Sequence, residues 1–84
     1  MFTIKAIIKD DVNVQIDGKN FTSRQEIVNK LSNLLKNYPD AALHIEADSN
    51  VYFRAIGNII YASQQVGVPK KNISITTPEG SIFK

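Results

Sequence analysis

The residues of this 84-residue chain that could do chemistry are few and scattered. His44 is the only histidine, and Glu46 lies two positions on, the spacing that puts two side chains on one face of a strand. A metal centre needs three or four converging ligands, and with no cysteine this pair holds no ion by itself. A serine or threonine nucleophile needs a base beside it, and His44 is predicted to lie on the strand face turned away from the helices. Asp10-Asp11 offers paired carboxylates, suited to holding a cation or sharing a proton. Two aspartates between apolar runs signal a turn more strongly. Gly18, Gly57, Gly67 and Gly80 stand singly, so no glycine-rich loop cradles phosphate. These observations predict no catalytic residues, no metal and no cofactor.

Residues suited to recognition are more evident. Arg54, Asn58, Tyr61 and Gln65 recur at helical spacing on one arc, opposite Ile56, Ile59, Ile60 and Ser63. Tyrosine and arginine together are enriched at protein interfaces. Lys70-Lys71 follows Pro69 and offers charge to phosphate or to an acidic partner. These six residues are the candidate partner contacts. Gly57 sits inside the helix, where glycine costs about 1 kcal/mol relative to alanine; either close packing or a partner contact would account for it. Asp48 directly follows a predicted strand and is suited to accept amide hydrogen bonds in the loop before the helix.

The elements that position these residues follow from periodicity. Phe2 to Lys9 alternates, with Phe2, Ile4, Ala6 and Ile8 on one side. Val12-Asn13-Val14-Gln15-Ile16 alternates again, and Asp17-Gly18 is a strong signal for a type I′ hairpin back into Lys19-Asn20-Phe21. Ser23 and Glu26 have capping-box spacing at the head of a helix over Ser23 to Lys36. Its apolar face is Ile27, Val28, Leu31, Leu34, Leu35 and Tyr38, and Pro39 ends it. Leu43, Ile45 and Ala47 alternate with His44 and Glu46. A second helix follows, with Tyr52, Phe53 and Val66 flanking its inner arc, and Gly67 stops it. Ile73 and Ile75 then alternate with polar residues. Pro78-Glu79-Gly80 is a turn into Ser81–Lys84, an edge strand or a tail. Strands with one wet face and two amphipathic helices predict an α+β fold. It is a single mixed sheet of about five strands with both helices on one face. The exposed sheet face carries Asn, Gln, His, Glu, Ser and Thr without aromatics for base stacking, which counts against nucleic acid.

Composition agrees with one small folded domain. Hydrophobic residues make up 43% of the chain, and no apolar run reaches the roughly 20 residues of a membrane helix. The net charge of +2 is uneven: residues 1–50 sum to −1 and residues 51–84 to +3.

The stretch from Ala47 to Thr77 also resembles a known family. An Ala47-Asp48 pair ends a strand, then Val51 and Phe53 precede an apolar helix that closes on Val66-Gly67-Val68, and a strand ends in Thr76-Thr77. With the Asp17-Gly18 hairpin and the Ser23–Lys36 helix, these landmarks resemble the soluble domain of the ExbD/TolR biopolymer-transport family over nearly the whole chain. Tyr52 and the long Val68–Asn72 link depart from its pattern.

The resemblance implies a non-enzymatic periplasmic domain of a single-pass inner-membrane protein in a Gram-negative bacterium. Residues 1–84 would be that one domain, with the membrane helix and cytoplasmic tail outside this chain and Met1 an added start. The implied partners are an ExbB/TolQ-like membrane subunit, a TonB/TolA-like transducer, a second copy of the chain, and peptidoglycan. The complex would be driven by the proton-motive force and serve TonB- or Tol-Pal-type transport or outer-membrane integrity. Contacts by strand addition are expected at the sheet edges, predicted to be the N-terminal strand and Ser81–Lys84. The rival reading is a small two-layer nucleic-acid-binding or regulatory module, supported only by the +3 of the second half.

Overall fold

A computed structural model describes residues 2–49, 51–78 and the backbone of 80–81. The elements run β1 (Thr3–Ile8), β2 (Val14–Ile16), β3 (Lys19–Phe21), α1 (Arg24–Asn37), β4 (Ala42–Ala47), α2 (Phe53–Gln65), a 3₁₀ turn (Lys70–Asn72), β5 (Ile73–Thr77) and β6 (Gly80–Ser81). They build one mixed sheet in the order β3-β2-β1-β4-β5-β6, with two helices, as expected of an α+β fold. The two-residue β6 is the sixth strand; residues 82–84 of the expected C-terminal strand lie outside the described residues.

Local chemistry sets the turns and caps. Asp17 and Gly18 both take positive φ, +57° and +80°, so the type I′ hairpin forms and pairs Ile16 with Lys19. Ser23 is the N-cap of α1, its Oγ accepting from the Glu26 amide at 3.2 Å, while Glu26 Oε1 accepts from the Thr22 amide at 3.4 Å. The second bond reaches one residue further back than the expected capping box. At the end of α2 the Val68 amide donates to Ser63 and the Gly67 amide to Gln64, a Schellman closure that requires the +94° φ of Gly67.

Long-range pairing decides the rest. β1 pairs in parallel with β4, and β4 with β5, through α1 and α2 as crossovers. The N-terminal strand is therefore central, and the expectation that it forms an edge is overturned: β3 is the edge on that side. Alternation along β1 could not reveal its neighbours, because a strand covered on one face reads alike at the centre and the edge. Ile4, Ala6, Ile8, Leu43, Ile45 and Ile75 point into the core against Ile27 and Leu31 of α1 and Ala55, Ile59 and Ala62 of α2. Ile7, His44, Glu46, Ser74 and Thr76 occupy the other face, half-buried or exposed.

Three inward assignments, Phe53, Phe2 and Tyr38, also change; Tyr38, the C-cap of α1, is exposed. The buried stripe of α2 centres on Ala55, Ile59 and Ala62, and Phe53 lies more than 100° from that centre at 100° per residue. Phe53 is accordingly 75% exposed, not part of the core. Phe2, at the start of β1, is exposed as well and stacks on Tyr38, with centroids 4.0 Å apart and planes at 13°.

Candidate partner-contact surface

The start of α2 is held by a residue distant in sequence. Tyr52, its N-cap, makes no side-chain cap bond. Asp11 Oδ1 instead accepts from the Arg54 amide at 2.9 Å and the Ala55 amide at 3.5 Å. A carboxylate there answers both the unpaired amides and the positive end of the helix dipole. Asp48, at the end of β4, is exposed and donates its own backbone N–H to Ile8. Asp10 supports the same loop. Its carboxylate accepts from the amides of Val12 and Asn13 at 2.8 and 2.7 Å and from the Asn13 side chain. Those bonds, the Asn13 side chain first, hold the Asp10 carboxyl below its ordinary pKa of 3.8. The turn reading of Asp10-Asp11 holds, and the second aspartate doubles as a helix cap.

Capture of Val12 and Asn13 by Asp10 delays β2 to Val14 and leaves Val12 exposed. Val51 and Phe53 are exposed as well, and the Asp11–Arg54 bond brings their loop against that of Val12. An apolar tip thus caps the end of the sheet where β1 and β4 finish.

Of the six candidate contact residues, Arg54, Tyr61, Gln65, Lys70 and Lys71 are exposed. Asn58 is half-buried, and its Oδ1 accepts two bonds from Arg24 of α1, both at 3.3 Å. The Arg24 guanidinium lies 4.3 Å from the centre of the Tyr61 ring. Asn58 and Tyr61 are therefore brought together in an interhelical clasp, with Tyr61 still 49% exposed. The clasp was not foreseen, because nothing local links Arg24 to a helix 30 residues on. Arg54 and Lys70-Lys71 stand at opposite ends of α2, about 20 Å apart at 1.5 Å per residue. The six are not one patch. Gly57 is exposed, and a Cβ added there would meet nothing within 4 Å, so close packing does not explain it.

On the open sheet face His44 Nδ1 lies 2.7 Å from Ser74 Oγ, and Nε2 lies 3.6 Å from Glu46 Oε1. Lys5 Nζ shares that Glu46 oxygen at 3.3 Å. Serine, histidine and glutamate thus meet, which the sequence reading did not assemble. Ser74 is exposed in β5 and stands opposite His44 of β4, while β6 pairs only with Thr76 and Thr77. The glutamate is also shared with a lysine. Such exposed ion pairs contribute about 0–1 kcal/mol.

The β3 edge borders a crevice of about 340 Å³ lined by Lys19, Phe21, Glu26, Asn29, Lys30 and Asn33. In the hairpin, Ile16 and Lys19 exchange hydrogen bonds, so Asn20 turns its backbone N–H and C=O outward. Edge strand and helix α1 together form the walls of a short open groove.

Among the described residues no three or more His, Cys, Asp and Glu converge, and no helix is long and apolar enough to cross a membrane. The fold is a two-layer domain of one mixed sheet and two helices. The sequence model of the family described as biopolymer transport protein ExbD/TolR matches residues 3–78. That match spans β1 through the end of β5, so the chain belongs to the ExbD/TolR biopolymer transport family. No curated protein and no solved structure gave a match.

Proposed function

We propose that this chain is the non-enzymatic periplasmic domain of an inner-membrane, proton-motive-force-driven energy-transduction complex. The family match over residues 3–78 carries the reading, because it covers both helices and the sheet from β1 to β5. Residues 1–84 are then one domain. A membrane helix outside this chain anchors it beside an ExbB/TolQ-like subunit. The domain works by contact with a TonB/TolA-like transducer, with a second copy of itself, or with peptidoglycan.

The β3 edge is the place for strand addition. An extended segment would pair with Asn20 and lay alternate side chains into the crevice between β3 and α1. The apolar tip of Val12, Val51 and Phe53 and the outer stripe of Arg54, Tyr61 and Gln65 are further contact sites.

The reading is tested on the full-length gene product. An apolar span of about 20 residues upstream of Phe2 is expected. A reporter phosphatase that is active only outside the cytoplasm, fused after Thr77, should be active. An inactive fusion in well-expressed protein would refute the periplasmic location.

A further inference from the structure

The parallel register of β1, β4 and β5, with Thr3 opposite Ala42 and Leu43 opposite Ile73, gathers their N-terminal ends at one end of the sheet. Both helices finish there too, since each leads into the next parallel strand. The charges at that end are chiefly of one sign. Lys36 lies in the last turn of α1, and Lys70 and Lys71 precede β5; all three are exposed, with Asp40 and Asp17 as the nearby acids, the latter paired with Lys30 at 3.4 Å. Beside them two aromatic rings face solvent, Phe2 at 39% and Tyr38 at 44% exposure, stacked on each other. The Phe2 carbonyl accepts from the Ala42 amide at 3.0 Å and the Tyr38 carbonyl from the Ala41 amide at 3.0 Å, which fixes both backbones at this end. The opposite end is mixed in sign: Asp10, Asp11, Asp48 and Glu26 lie there together with Lys9, Arg24 and Arg54.

We propose that this basic, aromatic end lies against the anionic phospholipid headgroups of a membrane surface. Lysines near such a surface are attracted by its negative potential, and aromatic rings with a polar tip favour the headgroup region. A nucleic acid would meet the same lysines, but stacking already covers one face of each ring and leaves less surface for a base. The setting rests on the membrane-anchored reading above. The two fail separately, because lipid binding is read on the isolated chain and anchoring on the gene product.

The test uses the 84-residue chain with vesicles of phosphatidylglycerol and phosphatidylcholine, against vesicles of phosphatidylcholine alone. Sedimentation should show binding to the anionic vesicles that is lost in high salt. Each lysine contributes roughly fivefold, so Lys36→Glu, Lys70→Glu and Lys71→Glu together should weaken binding by about 100-fold or more. Lys9→Glu, exposed at the opposite end, should change it by less than about twofold. The chain has no tryptophan, so Tyr38→Trp supplies a single reporter whose emission should shift to the blue on the anionic vesicles. Thermal melts confirm that the variants stay folded. No binding, an equal loss from Lys9→Glu, or an unshifted emission from bound Tyr38→Trp protein would overturn the proposal.

Discussion

At the scale of single residues, Asp11 is the least obvious contributor. One of its two carboxylate oxygens receives two amides of a helix more than 40 positions away. Replacing a cap of this kind by alanine costs about 0.5–2 kcal/mol. Asp11→Ala should lower stability by that amount in urea unfolding, and Asp11→Asn by less. An unchanged midpoint would show that the cap is idle. Asp10 makes a pH prediction. Its folded pKa is depressed below 3.8, so it stabilises the folded state above that value and the contribution is lost as pH falls through the folded pKa. Asp10→Asn should therefore lose less stability than the parent as pH falls from about 5 towards the acid limit, and parallel acid curves would contradict it. Phe53 is the opposite case. With most of its ring in water, Phe53→Ser should leave stability within about 0.5 kcal/mol.

At the scale of elements, the two glycines of the α2 segment make contrary predictions. A Cβ at Gly57 enters open space, so Gly57→Ala should stabilise by roughly 0.5–1 kcal/mol. At Gly67 the φ of +94° excludes that gain, and Gly67→Ala should destabilise by about 1 kcal/mol or more. Thermal unfolding of both variants checks the pair, and a shift of the same sign in both would refute the assignment. If the Gly57→Ala protein is more stable yet impairs transport, the open space belongs to a partner. The contrast also shows what the sequence could disclose. The Asp17-Gly18 hairpin, the Ser23 cap and the Gly67 stop were legible because each is settled by residues within a few positions. The central place of β1, the Asp11 cap and the Arg24–Asn58–Tyr61 clasp were not, because each depends on segments that meet only after the sheet has paired. Phe53 misled for a related reason. A large apolar residue at the head of a helix invites burial, while the true buried stripe runs through the small Ala55 and Ala62.

At the scale of the whole molecule, one face of the sheet is committed to stability and, on the proposed function, the rest is left for contact. Ile45, fully buried in the central β4, tests the first half: Ile45→Ala should cost about 2–5 kcal/mol. The second half is a matter of edges and ends. The β3 edge and its crevice, the apolar tip, and the basic aromatic end lie on different sides of the domain. The central claim is that contact at these surfaces is driven by membrane energy. A photo-cross-linking residue placed at Asn20 of the full-length protein in native membranes tests it most directly. The account predicts an adduct with a TonB/TolA-like transducer that forms in energised cells and disappears when a protonophore collapses the gradient. An adduct that forms equally with and without the gradient, or no adduct from Asn20, Phe53 or Tyr61, would contradict it.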